Sequence, residues 1–163
     1  MQIMGQSLTV EDIKQLFPLL NSDGQFKLTS PEDSRYNCIS WAMQRSDRWT
    51  AVPSGLPYLD GVIWWPPGAK EGVDISCLVD AFRYEGFELC NDYSFEEEWL
   101  KVALYYDPST NRWTHAARQL RSGVWASKLG RSYDIHHGTP YTIESDVYGK
   151  VFCIMKTSFH STK

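Results

Sequence analysis

Long apolar runs are absent from this sequence of 163 residues, and none reaches the roughly 18 residues that a transmembrane helix needs. The first twenty residues contain Glu11, Asp12 and Lys14 where a secretory signal would be continuously apolar. We therefore expect no membrane partner and a cytoplasmic protein.

Clustered cysteines are also lacking. The four cysteines include no C-x-x-C pair, which favours reduced thiols over disulfides. Among the four histidines only His136 and His137 are close in sequence, and adjacent residues are a poor geometry for one tetrahedral ion. We expect no metal and no other cofactor. The cysteines are Cys38, Cys77, Cys90 and Cys153.

Positive charge is not in excess either. Sixteen Lys and Arg stand against twenty Asp and Glu, which gives a net charge of −4. This balance argues against a surface that follows a phosphate backbone, so we expect no nucleic-acid partner. The phosphate-binding pattern G-x-x-x-x-G-K-[ST] is missing too, which argues against a nucleotide site.

Aromatic side chains are plentiful. Seven Trp, nine Tyr and seven Phe make up 14% of the chain, and such side chains either fill a core or line a cleft. The apolar share of 42% and the charged share of 22% exclude a disordered chain. The length predicts a single domain over residues 1–163.

Helices are predicted in the first half of the chain. Thr9–Leu20 has a capping threonine and apolar residues at helical spacing. A second helix begins after Asn37, and a third begins at Ile75 and ends near Gly86. Between the last two, the stretch 50–72 is rich in Pro and Gly and predicts a long ordered loop anchored by tryptophans.

Strands are predicted from Gly86 onward. Turn-like breaks separate them and indicate an antiparallel meander in the middle of the series. A helical half at about 1–85 followed by a sheet half at about 86–158 predicts an α+β fold, with N-terminal helices packed on a C-terminal antiparallel sheet. The strand segments are GFELC, KVALYYD, WTHAARQL, VWASKLG, SYDIHH and YGKVFCIMKTS.

Cys38 is the candidate nucleophile. With Asn37 as the cap, its thiol stands in the first turn of a helix, where free N–H groups and the helix dipole lower a thiol pKa from its usual value of about 8.5. The alternative is a small buried apolar residue. A helix start alone is not a catalyst, so a base is also needed.

His115 is the candidate base, because a strand packed against the helix can present a histidine rigidly. Strict alternation predicts that Trp113, His115 and Ala117 point to one side of this strand. A core histidine bonded to a neighbouring carbonyl is the alternative.

Three residues are candidates to orient His115. Asp134 is favoured, because a carboxylate both holds the tautomer and stabilises the imidazolium. The alternative for Asp134 is a simple turn or surface acid. His136 comes next, because alternation places it on the same face as Asp134. Ser127 is the third candidate, because the RSG turn brings it roughly opposite His115.

Two resemblances follow from these motifs. The phrases YNCISWA, KVALYYD, THAARQL, WASKLG and DIHH resemble an uncharacterised bacterial domain family with an N-C-x-x-W-A signature, a later H-A-A-R-Q and an S-K-L-G-x-x-x-D-I-x-H block, over about Tyr36 to Lys156. A Cys at a helix start before a His in a sheet is similar to the papain-like group, which includes the NlpC/P60, CHAP and transglutaminase-like families. That likeness implies a papain-like core with Cys38 as nucleophile, His115 as base, and an orienter among Asp134, His136 and Ser127.

The resulting expectation is a cysteine hydrolase or acyl transferase that acts on an amide or thioester bond of a peptide or protein. The alternative is a non-catalytic protein-interaction domain of the immunity or adaptor type, and an aromatic pocket away from Cys38 would instead favour a small-molecule binding domain. The residues expected to contact substrate are Tyr36, Trp64, Trp65 and Ser127.

Overall fold

A seven-stranded antiparallel sheet organises the protein. The computed structural model describes residues 9–30, 42, 49–50, 63–64, 66, 68–70, 72–129 and 134–158. The strand order is β1-β8-β7-β6-β5-β9-β4, and a separate parallel pair joins β2 to β3. The strands are β1 Lys27–Ser30, β2 Trp49–Thr50, β3 Ile63–Trp64, β4 Glu88–Cys90, β5 Trp99–Asp107, β6 Arg112–Gln119, β7 Trp125–Lys128, β8 Asp134–His137 and β9 Lys150–Ser158.

Two α-helices lie wholly within the described residues, and both were predicted. Helix α1, Val10–Leu16, begins with a capping box in which Thr9 and Asp12 exchange backbone and side-chain hydrogen bonds. Pro18 then starts a 3-10 turn over Pro18–Ser22. Helix α2, Ile75–Tyr84, is capped by Asp74 and presents a row of buried apolar residues.

The helices cover opposite faces of the sheet, because both faces are apolar. Alternation along β5 sends Val102 and Leu104 towards α2 but Ala103 and Tyr105 towards α1 and the first 3-10 turn. The core beneath α1 also receives the second 3-10 turn, Pro140–Ile143. Each face therefore has its own hydrophobic cluster.

The predicted fold class is wrong. The prediction was an α+β fold of the papain-like type, with N-terminal helices packed on a C-terminal antiparallel sheet. The described residues instead form mostly one antiparallel sheet with two short helices, which is more β-rich than a papain-like core. Because both faces of the sheet are apolar, each needs a helix to cover it, so the two helices lie on opposite faces. In addition β1, from the predicted helical half, pairs with β8 at the sheet edge.

The strand predictions after Gly86 are confirmed. All six segments form strands, and β5 to β8 follow one another as a meander. The predicted second helix falls outside the described residues except for Ala42, which is helical and buried. Of the predicted loop 50–72, only short pieces are described. No helix in the described ranges is long and apolar enough to cross a membrane.

Candidate functional site

His115 is placed by an irregularity in the β5–β6 ladder. Tyr105 pairs with His115 but Tyr106 pairs with Trp113, so Thr114 is an extra residue in β6. This bulge turns Trp113 towards the α2 cluster, while His115 faces the α1 cluster. The prediction that Trp113 and His115 share a face is therefore wrong.

A chain of hydrogen bonds runs from His115 across two neighbouring strands. His115 Nε2 lies 3.0 Å from the Ser127 hydroxyl oxygen, and this oxygen lies 2.8 Å from His137 Nε2. His137 Nδ1 lies 2.8 Å from the carbonyl oxygen of Thr139. All three side chains are fully buried, so the chain is closed to bulk water.

The partners fix the direction of every proton in this chain. A carbonyl oxygen only accepts, so His137 Nδ1 donates to Thr139 and, in the neutral ring, His137 Nε2 accepts. The Ser127 hydroxyl must donate to that Nε2, which leaves its oxygen to accept from His115. Neutral His115 is therefore protonated at Nε2 and carries a lone pair at Nδ1.

Both histidines are neutral at physiological pH. Burial is the main cause that holds the pKa of His115 well below 6.5, and repulsion from His137 acts in the same direction. Burial likewise lowers the pKa of His137 to about 4, although the hydrogen bond to Thr139 and the charge of Asp23 raise it. The neutral-state proton assignment thus applies at pH 7.

The Nδ1 lone pair of His115 is the unusual feature of the site. This atom is buried and has no hydrogen-bond partner in the described part of the chain. Tyr148 lies parallel to the ring with 3.9 Å between centroids, and Tyr105 packs at 5.3 Å. This nitrogen can therefore accept a hydrogen bond or a proton, although burial disfavours the charged imidazolium.

The other two candidates for orienting His115 point the other way. Ile135 and His137 face the α1 cluster, so the alternate residues Asp134 and His136 face the opposite side of β8. His136 pairs with Lys27 across the β1–β8 ladder. The structure thus joins His115 to Ser127, the third of the three predicted orienters.

Asp23 holds the loop 138–142, which contains Thr139, in place by hydrogen bonds. Its Oδ2 accepts from the backbone N–H of Gly138 and from the Thr142 hydroxyl, each at 2.7 Å, and its Oδ1 accepts from the backbone N–H of Gln25 at 2.9 Å. Burial raises the pKa of Asp23, but these hydrogen bonds outweigh it and leave the pKa below its usual value. The carboxylate is therefore ionised at neutral pH.

Several predicted site residues are not in the described ranges. Cys38, Tyr36 and Trp65 lie outside them, and Trp64 is described only as a backbone position in β3. Of the remaining cysteines, Cys77, Cys90 and Cys153 are free. Within the described ranges no cluster of His, Cys, Asp and Glu could hold a metal ion.

Sequence reasoning missed His137, Tyr148 and Asp23. A signal for His137 was present, because apolar Ile135 marks the core face of β8 and His137 follows it by two residues. Asp23 carried no such signal, since its contacts with Gly138 and Thr142 join positions 115 and 119 residues apart.

The fold and site together define a β-sheet protein with a buried histidine–serine–histidine hydrogen-bond chain. The family model DUF7689, described as a domain of unknown function, matches residues 27–156. The match spans most of the chain, so the protein belongs to this family. No curated protein and no solved structure matches the chain.

Proposed function

We propose that this protein is a cysteine-dependent hydrolase or acyl transferase in which Cys38 is the nucleophile and His115 is the base. The observation that carries the proposal is the buried Nδ1 lone pair of His115, fixed by the hydrogen bond from Nε2 to Ser127. A Cys–His pair needs one imidazole nitrogen bare to receive the thiol proton and the other protonated and anchored. His115 meets both conditions.

The reaction would proceed in two half-reactions. His115 Nδ1 takes the proton of the Cys38 thiol, and the sulfur forms a bond to the carbonyl carbon of an amide or thioester. The imidazolium then returns this proton to the leaving nitrogen or sulfur as its bond to carbon breaks. Water or an acceptor amine attacks the resulting thioester and gives its proton to Nδ1. The imidazolium passes that proton to the sulfur as the C–S bond breaks, which restores the Cys38 thiol and neutral His115.

Ser127 would orient the base throughout this cycle. Its oxygen accepts the Nε2 proton of His115 whether the ring is neutral or protonated, so the ring keeps its direction. We propose Ser127 in this role because Asp134 and His136 face the other side of β8.

The substrate in this proposal is an amide or thioester of a peptide or protein. The chemistry draws only on the chain's own side chains and on water or an acceptor. We propose a cytoplasmic location, because thiols stay reduced there and Cys77, Cys90 and Cys153 are all free.

Cysteine reactivity tests the proposal. Alkylation by iodoacetamide would be followed for each cysteine by peptide mass spectrometry between pH 5 and 9, with Cys90 and Cys153 as internal references. Burial raises the pKa of Cys153 to about 11, so this thiol should react slowly. We expect Cys38 to react fastest, with an apparent pKa well below 8, and to lose this advantage in His115→Ala. A Cys38 that reacts no faster than Cys90 would overturn the proposal.

A second measurement leaves His115 in place and changes Cys38 instead. In the proposed pair the Cys38 thiol faces the His115 Nδ1 lone pair, so Cys38→Ser should move the ¹⁵N resonance of that nitrogen. His136→Gln serves as the matched control for His115→Ala and should leave Cys38 reactivity unchanged. An unmoved Nδ1 resonance in Cys38→Ser would show that the two residues do not meet, which would favour the protein-interaction alternative.

A further inference from the structure

The hydrogen-bond chain does not end at Ser127. Ser127 Oγ bonds to His137 Nε2, and His137 Nδ1 bonds to the Thr139 carbonyl. Both nitrogens of the second histidine are thus engaged, and its ring is fully buried. If the Thr139 carbonyl moved, His137 could carry its proton on either ring nitrogen. The Ser127 hydroxyl could then donate to either histidine, and the protonated nitrogen of His115 would no longer be fixed.

The position of Thr139 depends on Asp23. Gly138 and Thr142, which flank Thr139, both donate to the same carboxylate oxygen at 2.7 Å. A Cβ at Gly138 would lie 2.9 Å from Asp23 Oδ1, so the carboxylate sits close against the loop backbone. Charge-assisted hydrogen bonds of this length are about twice as strong as neutral ones.

We propose that Asp23 and His137 are positioning residues that set the tautomer of the base His115. Asp23 fixes the 138–142 loop, the Thr139 carbonyl holds the proton of His137 at Nδ1, and Ser127 then donates to His137 and accepts from His115. Nδ1 of His115 is left bare as a consequence. The role of His115 as a base rests on the proposed function. Which nitrogen of each histidine carries the proton, here called the tautomer order, is a property of the folded protein alone.

Histidine NMR tests the tautomer order without any substrate. Long-range ¹H–¹⁵N spectra of the full chain at pH 7 should show His115 protonated at Nε2 and His137 at Nδ1. In Asp23→Ala we expect both rings to become mixtures of tautomers. Asp23→Asn is the variant to use if Asp23→Ala fails to fold, because it keeps the size of the side chain and removes the charge.

Asp12→Asn is the matched control. This substitution removes the same charge from the same segment and weakens the cap of α1, but Asp12 bonds to Thr9 and not to the 138–142 loop. Its spectrum should keep the wild-type tautomers. Unchanged tautomers in both Asp23 variants would overturn the inference, because Asp23 would then support the fold without ordering the protons.

Cysteine alkylation separates this inference from the proposed function. We expect Asp23→Ala to slow Cys38 alkylation at pH 7 by about tenfold, less than the roughly 10²- to 10⁴-fold that a positioned base supplies. If Cys38 is inert in the wild type while the Asp23 variants still mix the tautomers, the proposed function fails and the positioning role stands. If Cys38 reacts equally fast in wild type and Asp23→Ala, positioning by Asp23 has no effect on the thiol and its catalytic meaning is overturned.

Discussion

Tyr148 covers one face of the His115 imidazole, with 3.9 Å between ring centroids and an angle of 8° between the planes. Tyr148 is itself buried, and its backbone carbonyl accepts the Thr114 hydroxyl next to the histidine. The ring is therefore stacked on an aromatic face and has no exposed surface. This arrangement explains why burial is the first cause of the lowered pKa of His115.

Stability should fall as the pH falls from about 6.5 to 4. The pKa of His137 is about 4 in the folded state and near 6.5 in the unfolded chain, so the unfolded chain binds more protons in this window. Its contribution of about 3 kcal/mol is present above pH 6.5 and lost as pH falls through the folded pKa. His115 acts with the same sign. Urea unfolding at a series of pH values measures the loss.

Two histidine variants provide the controls for this pH dependence. His137→Gln should reduce the slope between pH 6.5 and 4, with His115 supplying the remainder. The adjacent His136→Gln should leave most of the slope, because His136 is only partly buried. An unfolding free energy that stays constant from pH 7 to 4.5 in the wild type would contradict the prediction.

Ser127→Ala should destabilise the protein. The variant leaves His115 Nε2–H and His137 Nε2 buried without their partner, at about 1 to 3 kcal/mol for each group. We expect a total loss of about 2 to 6 kcal/mol in urea unfolding at pH 7. Ser122→Ala makes the same chemical change at an exposed turn position and should stay within about 0.5 kcal/mol. Equal effects of the two variants would argue that the buried chain contributes nothing.

Lys101→Met should loosen the segment 91–98. The buried ammonium donates to the carbonyl oxygens of Asp92 and Ser94 at 2.7 and 2.8 Å and forms an ion pair with Glu96. Hydrogen bonds of a charged donor contribute about 1.5 to 3 kcal/mol each, so we expect a loss of about 3 kcal/mol and faster hydrogen exchange in this segment.

Lys156→Met is the matched control for that loss, because Lys156 pairs with Lys101 across the β5–β9 ladder. Its ammonium lies 4.2 Å from the centre of the Trp99 ring, an interaction of about 0.5 to 1 kcal/mol. Exchange in the segment 91–98 should stay at the wild-type rate. Loosening by both variants alike would show that the loss does not come from the buried ammonium.

Gly149→Ala should be strongly destabilising. A Cβ at this position would lie 2.0 Å from the backbone oxygen of Tyr106, and the φ angle of 73° is one that alanine rarely adopts. We expect a loss above about 3 kcal/mol. Gly24→Ala meets no atom within 4 Å and should change stability by less than about 1 kcal/mol. Thermal unfolding of the two variants provides the comparison, and similar melting temperatures would contradict it.

Local patterns predicted the elements of this fold well. The cap at Thr9, the helical spacing after Ile75 and the alternating segments after Gly86 each depend on neighbours in sequence. The arrangement of these elements was predicted wrongly, because it depends on pairings between distant segments. Strand β1 is only four residues long and lies among turn residues, so nothing local indicates that it joins β8.

The candidate site was predictable to the same extent. His115 and Ser127 follow from a hairpin with a turn near Gly123, which the structure contains at a φ of 93°. The bulge at Thr114 is set by hydrogen bonding between β5 and β6, and strict alternation cannot reveal it. The extra residue shifts the in–out alternation of β6 by one position, which is why Trp113 was assigned to the wrong face of the sheet.

The separation of 115 residues between Asp23 and Gly138 bears on the order of folding. His115, Ser127 and His137 belong to a local meander, whose short loops cost little entropy to close. The contact with Asp23 spans most of the chain and should form late, because distant contacts repay their loop entropy last. His115 would thus gain its single tautomer only when the segment that carries Asp23 docks, so the proton positions of this buried chain depend on completion of the fold.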